Sequence, residues 1–338
     1  MKIAFLNNSQ GLVERGSETF VSEIAKRLSE KHQVDIISGK KLPGPRWPII
    51  WRAFIDPHGI EVLLFTLKNL SRLWRGGYDV IIPLNGGWQP ALIRLMTWIT
   101  SKKMVISGQS GKGWDDRNNL WCFPNAFVAL SSNLEQWAKK VNPLIRTTYI
   151  PNGVDTHKFT HNGQKFDFQL EPPLILSVGA LSNDKRMDLI IKAVSGLEKG
   201  SLLLVGKGSL KRELEELGRK LLPKRFKIVS FDFEKMPEVY RAADLFTLAS
   251  PSYRSFEIVI TEAMATNLPV VVNNDEIRRE IVGEAGVLVD PVNTQEYSQA
   301  IANALEKNWD DKPRRQAEKF DWNKIALEYE KLFESLTK

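Results

Sequence analysis

Short apolar runs alternate with stretches of helical periodicity along the whole chain, and this alternation limits the fold more than any other feature. Lys2–Leu6, Val34–Ser38, Val80–Pro83, Met104–Ser107 and Phe127–Leu130 read as strands. Helix-like sequence follows them, as in Glu18–Lys31, where Phe20, Val21, Ile24, Ala25 and Leu28 recur at helical spacing. The second half repeats the plan with strands at Leu174–Val178, Ser201–Val205, Lys227–Phe231, Leu245–Ala249, Val270–Val272 and Val287–Val289. Between them, Met187–Val194, Leu210–Leu222, Pro237–Ala243 and Ile258–Ala265 read as helices. Strand alternating with helix is the pattern of a parallel sheet covered on both faces. The expected fold is α/β, with two tandem parallel-sheet domains facing across a cleft. A length of 338 residues suits two such cores. The expected domains are 1–155 and 156–320, because Pro151 and Asn152-Gly153 break regular structure. A last helix over Trp322–Leu336, within 321–338, is expected to pack back across the domain junction.

Composition narrows the partners. Residues 1–170 carry 22 Lys/Arg against 13 Asp/Glu, a balance of +9, whereas residues 171–338 stand at −2, and eight of ten Trp precede residue 140. A basic, tryptophan-rich first half calls for an anionic partner. No run approaches the ~18 apolar residues of a membrane span. Met1–Leu6 is too short for a signal-peptide core, and Cys122 is the only cysteine, so a reducing cytoplasm is the expected compartment. One cysteine and four scattered histidines offer no metal cluster, and Asp-x-Asp is missing, so no metal and no cofactor is expected. The dinucleotide fingerprint of a dehydrogenase is also missing.

In open α/β sheets ligands bind beyond the carboxyl ends of strands, where helix N-termini present unpaired N–H groups. Three loops of the second half occupy such positions. Gly179–Arg186 combines a tight exit with Lys185 and Arg186 beside a helix N-terminus, which suits a diphosphate or simply makes a solvated basic turn. Val205-Gly206-Lys207-Gly208-Ser209 lacks Walker spacing and reads better as a plain βα turn than as a phosphate loop. Ser250–Ala265 leaves a strand, crosses a polar loop and opens a helix near Ile258, with Glu262 on its second turn. Amides at that opening can hold an anion, and a carboxylate one turn on can accept two hydrogen bonds from a vicinal diol such as a ribose.

The order IPNGVD (150–155), SVGALSNDKRMDLIIKAV (177–194), LLLVGKG (202–208), MPEVYRAADLFTLASPS (236–252), EAMATNLPVVV (262–272) and REIVGEAGVLVDP (279–291) resembles the retaining nucleotide-sugar glycosyltransferases of glycosyltransferase family 4, group 1, which have the GT-B fold. The resemblance runs nearly end to end and implies two Rossmann-like domains, the first binding acceptor and the second binding donor. It implies that Lys185 neutralises the donor diphosphate, aided by Gly179 and Arg186, and that the Ile258 and Val259 amides meet phosphate. By the same resemblance Glu262 binds the nucleotide ribose, residues around Phe231 meet the base, and Gly16 begins a glycine loop approaching the diphosphate. Transfer would occur with retention and without a metal.

Departures from the family pattern accompany the likeness. Arg254 stands where the family has Glu, eight positions before Glu262, and Glu257 replaces a glycine. The family's Gly-Arg-Leu reads Gly179-Ala180-Leu181, and Gln109 and Ser110 lie where a histidine is often found. Glu257 either replaces the lost carboxylate with Arg254 paired to it, or Arg254 recognises an acidic sugar or substitutes for the missing diphosphate arginine. Alternatively the protein is a catalytically impaired nucleotide-sugar binder; a nucleotide-sugar epimerase on a similar fold is a further rival. Arg254 and Glu257 therefore join Lys185 as candidate catalytic residues.

On the acceptor side, the polar loop Gly111–Arg117 supplies Trp114, Asp115 and Asp116 beside Gln109 as candidate acceptor contacts, with capping of the next turn an equal reading for the two aspartates. Lys40–Phe54 interleaves Lys40, Lys41, Arg46 and Arg52 with Trp47, Ile49, Ile50, Trp51 and Phe54, and Ile60–Arg75 places Lys68, Arg72 and Arg75 along a helix. Residues 40–54 and 68–75 thus suit an anionic membrane surface, which implies a peripheral position on the inner face of the cell membrane. A core helix with a solvated basic side explains Ile60–Arg75 equally well. No nucleic-acid module is present. The expected partners are a UDP- or GDP-linked sugar donor and a lipid-linked or polysaccharide acceptor.

Overall fold

The computed structural model describes residues 1–13, 16–48 and 52–338. Glu14 and Arg15 of the loop before Gly16, and Ile49, Ile50 and Trp51 of the basic segment, lie outside the described residues.

The first sheet contains β1 (Lys2–Asn7), β2 (Gln33–Ser38), β3 (Val80–Pro83), β4 (Lys103–Ser107), β5 (Ala126–Ala129) and β6 (Thr147–Tyr149) in the order β2-β1-β3-β4-β5-β6. The second contains β7 (Leu174–Val178), β8 (Ser201–Val205), β9 (Phe226–Val229), β10 (Leu245–Leu248), β11 (Val270–Asn273) and β12 (Gly286–Val289) in the order β12-β11-β10-β7-β8-β9. All pairings are parallel. Strands β3, β5, β8 and β10 are buried at every residue, as expected of strands covered on both faces.

Helices accompanying the first sheet are α1 (Gly16–Leu28), α2 (Arg52–Ile55), α3 (Pro57–Arg75), α4 (Trp88–Thr100), α5 (Trp114–Trp121) and α6 (Ser132–Val141). Those of the second are α7 (Met187–Ser195), α8 (Lys211–Leu221), α9 (Met236–Ala242), α10 (Ile258–Ala265), α11 (Glu276–Val282), α12 (Thr294–Glu306) and α13 (Lys312–Ala317), and the chain ends in α14 (Trp322–Thr337).

Two compact units result: Met1–Asn152 with Trp322–Lys338, and Gly153–Asp321. The second begins slightly earlier than the expected 156, because Val154 N–H donates to the Phe320 carbonyl (2.8 Å) and Thr156 donates to Asp321, drawing the Gly153–Asp155 peptide into it. Helix α14 belongs to the first unit. Its Trp322 and Tyr329 rings lie 6.3 and 5.5 Å from Phe20 of α1, and Tyr329 hydroxyl meets Ser107 Oγ at 3.0 Å.

In each sheet the chain order reverses at one place, between β1 and β3 in the first and between β7 and β10 in the second. Crevices for ligands form beyond the carboxyl ends of strands at such reversals. For the second unit this singles out the loops after β7 and β10, from which Lys185 and Glu257 come.

Candidate active site

The loop after β7 leaves through Gly179, forms a short 3-10 turn at Asn183–Lys185 and turns through Arg186, which sits in the left-handed region (φ 46°). It is held from below by the loop after β8. Gly179 N–H donates to Val205 O (2.9 Å), and Leu181 N–H to Lys207 O (3.0 Å). A Cβ on Gly206 would come within 1.8 Å of Gly179 O, and one on Gly208 within 2.2 Å of Leu181 O. The two glycines of Val205–Ser209 therefore serve close backbone approach, in keeping with the plain βα-turn reading.

The loop after β10 ends at Glu257, the N-cap of α10, again left-handed (φ 53°, ψ 77°). This backbone turns the Glu257 side chain inward, where it is 6% exposed. Lys185 Nζ donates to Glu257 Oε1, and Arg278 of α11, with no solvent exposure, donates to Oε2 at 2.8 Å. Arg278 also donates to Arg254 O (2.9 Å) and lies 3.5 Å from Asp275. Burial alone would push the Glu257 carboxyl up, but Lys185 and Arg278 outweigh it and hold the carboxyl below its usual range.

Arg254 does not pair with Glu257, contrary to the first account of the two departures. Its guanidinium reaches outward, 38% exposed, to Asp184 of the β7 loop and lies 5.6 Å from the Tyr253 ring centre. The two residues diverge because Glu257 faces the buried Arg278 while Arg254 stays on the open loop. Arg186 is also engaged, its Nε donating to Ala249 O at 2.6 Å.

One turn into α10, Glu262 is 6% exposed and accepts a 2.7 Å hydrogen bond from Tyr240 of α9. Burial raises its carboxyl to about 7, against smaller opposing effects of Tyr240 and Lys158. Ile258 is 8% exposed and, with Val259, forms the first turn whose amides lack helical acceptors. Phe231 lies beyond β9, packed against Phe166 (4.9 Å between centroids) and Phe168 (5.9 Å). Thus Gly179, Lys185, Arg186, Arg254, Glu257, Ile258, Val259 and Glu262 come from the two loops at the β7/β10 reversal and the helix that opens there.

The first-unit candidates are placed differently. Gly16 is exposed and starts α1. Asp116 is turned inward, 2% exposed, and accepts from the Ser110 (3.0 Å) and Gly111 (2.9 Å) amides, so it clamps the β4 exit loop. Burial raises its carboxyl to about 7. Gln109 exchanges two hydrogen bonds with Asn152 (2.9 and 3.2 Å). Asp115 lies 3.3 Å from Arg46 and 3.8 Å from Arg52, and Trp114 is 48% exposed. Of this set Trp114 has the most open side chain, whereas Asp116 follows neither reading: α5 has no side-chain cap, and the Asp116 carboxyl is taken by the loop amides before the helix.

Sequence reasoning missed Arg278, Tyr240 and Asp184. Arg278 carried a signal: it sits three and four residues before Ile281 and Val282, on the buried side of α11. Two carboxyls with raised values give a pH dependence of definite sign. Glu262 and Asp116 keep protons in the folded chain that the unfolded chain has lost, so their contribution falls as pH rises from about 4.5 and 3.8, respectively, toward about 7. Thermal midpoints measured from pH 4.5 to 8 should decline over this range, and the decline should be shallower in Glu262→Gln; an identical slope in that variant contradicts the assignment.

Residues 172–307 match the family model for Glycosyl transferases group 1. An uncharacterised glycosyltransferase of Methanocaldococcus jannaschii is 27% identical, covering 95% of this chain and 90% of its own. The N-acetylgalactosamine-N,N'-diacetylbacillosaminyl-diphospho-undecaprenol 4-alpha-N-acetylgalactosaminyltransferase of Campylobacter jejuni is 32% identical over 48% of each chain, so this chain spans about half of that relative. Among solved structures, HepE of Anabaena in complex with UDP superimposes with a TM-score of 0.77 at 20% identity, covering 99% of this chain and 100% of its own. Sucrose-phosphate synthase from Thermosynechococcus elongatus gives 0.78 at 19%, covering 99% and 98%. The fold is GT-B. The chain is a glycosyltransferase, similar to family 4, and the binding-only alternative has no support among its relatives.

Proposed function

We propose that this enzyme binds a UDP- or GDP-linked sugar in its second unit and transfers the sugar, with retention and without a metal, to a lipid-linked or polysaccharide acceptor bound by the first. The observation that carries this reading is the meeting of Lys185, Glu257 and the N-terminus of α10 at the β7/β10 reversal, with buried Glu262 one turn on. Ser250 Oγ, Arg254 Nε and Arg278 Nε are buried there without hydrogen-bond partners among the described residues, which supports a polar ligand. HepE was solved with UDP, and the Campylobacter relative is named for an undecaprenol-diphosphate acceptor; both fit this donor and acceptor.

In this reading Lys185 and the Ile258 and Val259 amides stabilise the charge that develops on the departing diphosphate. Glu262 holds the ribose diol and Phe231 flanks the base. The acceptor hydroxyl attacks the face the diphosphate leaves as the anomeric C–O bond breaks, and its proton passes to an oxygen of the departing diphosphate, so no protein nucleophile is needed. Glu257 restrains Lys185 in the free enzyme, and Arg254 lies near enough to the same loop to meet a second phosphate or an acidic sugar. The basic segments at 40–54 and 68–75 hold the enzyme against an anionic membrane on its cytoplasmic side. Trp47, 44% exposed, and Trp74, 50% exposed, support this. No helix among the described residues is long and apolar enough to cross a membrane.

A thermal-shift panel of UDP-, GDP- and ADP-sugars, including uronic acid donors, tests the donor assignment. A UDP- or GDP-linked sugar should stabilise the fold by about 2.7 kcal/mol at ~100-fold its Kd. Failure of every nucleotide and nucleotide sugar to shift the midpoint overturns the reading.

A further inference from the structure

The two loops at the β7/β10 reversal, Gly179–Arg186 and Ser250–Glu257, offer side-chain donors in excess of free side-chain acceptors. Their only carboxylates, Asp184 and Glu257, are engaged at every oxygen. Glu257 takes Lys185 on Oε1 and the buried Arg278 on Oε2. Asp184 takes the Ser182 hydroxyl on Oδ1 (2.6 Å) and Arg254 Nη2 on Oδ2. Donors are left over. Arg254 meets Asp184 through Nη2, its Nε has no partner among the described residues, and the side chain is partly open. Arg278 Nε is likewise without a partner there, and the Lys185 ammonium, with three protons to give, meets one carboxylate.

A neutral sugar suits this arrangement poorly. Each of its hydroxyls brings a proton as well as lone pairs, and a guanidinium has no acceptor to offer that proton. A carboxylate has no such conflict, because it only accepts and takes two parallel N–H bonds from the guanidinium fork. In the free enzyme Asp184 supplies the carboxylate that Arg254 holds. An ion pair as open as this one contributes little to stability, so Asp184 gives way to a ligand carboxylate at small cost.

We propose that the transferred sugar is a uronic acid and that Arg254 selects it, releasing Asp184 to pair with the carboxylate of the sugar. The inference rests on the donor reading above and narrows it to one class of sugar. The sugar ring is joined directly to the second phosphate. With the diphosphate on Lys185 and the opening of α10, the ring therefore lies beside the same loop. Asp184 is the residue before Lys185 in that loop and brings the Arg254 guanidinium to it. Arg254 is then a specificity residue, while Lys185 and the helix amides keep the leaving group.

Equilibrium affinities of the full chain for matched donors test this: UDP-glucuronate against UDP-glucose, and GDP-mannuronate against GDP-mannose, with UDP and GDP as the bare leaving groups. In the nucleotide series that binds, the uronate should bind about tenfold more tightly than the neutral sugar. Arg254→Gln should erase this preference, weakening the uronate about tenfold more than the neutral sugar. Arg254→Lys should retain part of it, since the charge stays and the fork is lost. Asp184→Asn removes the internal competitor and should widen the preference. Equal affinity of the parent for both sugars of a pair overturns the proposal, as does a preference that survives Arg254→Gln. A loss in Arg254→Gln shared equally by uronate, neutral sugar and bare diphosphate also overturns it and gives Arg254 to the diphosphate. If neither UDP, GDP nor any of their sugars binds, the donor reading falls and this inference with it. Binding of UDP or GDP without a uronate preference removes this inference alone.

Discussion

Lys185→Ala should transfer sugar about 10²–10³-fold more slowly than the parent, the loss typical of removing one preorganised stabiliser of transition-state charge. The side chain is 19% exposed and its Nζ lies on Glu257, at the N-terminus of α10. It is therefore placed where helix-opening amides favour an anion, and in the proposed function its charge matters most when the diphosphate takes up the bonding pair of the breaking glycosidic bond. Weaker binding of the nucleotide product should accompany the fall in rate. Lys185→Arg should recover part of the rate, because a guanidinium keeps the charge but not the compact point geometry of an ammonium. Initial rates of donor consumption and nucleotide affinity for the three proteins measure this. Full turnover in Lys185→Ala contradicts it.

Glu257→Ala should destabilise the second unit by about 3 kcal/mol, since breaking a buried ion pair by removing one partner costs ~3–5 kcal/mol. The lower end applies because Arg278 keeps Asp275 at 3.5 Å and Lys185 reaches solvent. Glu257→Gly should be less destabilised than Glu257→Ala by about 1 kcal/mol, because glycine adopts the left-handed φ of 53° without steric conflict. Denaturant midpoints of the two variants test both effects together. The acid side follows the same geometry: the depressed carboxyl contributes stability above its unfolded value of 4.5, and that contribution disappears as pH falls through its lower folded value. Both variants should also bind nucleotide diphosphate more tightly, because Lys185 no longer has an internal anion. Equal stability of parent and Glu257→Ala removes this account of the network.

How far the chain could be read beforehand follows from what kind of information each feature needs. Strands such as Val80–Pro83 and Ser201–Val205 were legible to the residue, because burial on both faces demands an uninterrupted apolar run. Thr147–Tyr149 was not: it is an edge strand of three half-buried residues and leaves no such run. Phe231 was expected at the end of a strand, yet β9 stops at Val229 and the ring joins Phe166 and Phe168, partners that precede the second sheet in sequence.

At the candidate site, Lys185, Glu257 and Glu262 could each be singled out from a loop or helix start. Their pairing could not, since Lys185 and Glu257 are 72 residues apart and meet because β10 pairs with β7. Arg278 was passed over because an arginine within Glu276–Val282 reads as a surface charge, and its full burial depends on the distant Glu257. For Asp116 the sequence offers acceptor contact and cap equally, and the structure gives a third role, since the carboxyl takes the Ser110 and Gly111 amides, whose direction depends on the folded β4 exit loop.

A crystal structure of the enzyme soaked with UDP, and a second with GDP, tests the central claim most directly. The account predicts that at least one of the two diphosphates is bound between Lys185 and the first turn of α10, with its ribose on Glu262 and Lys185 drawn away from Glu257. A well-ordered diphosphate bound elsewhere on the molecule, with the Lys185–Glu257 pair undisturbed, would contradict it.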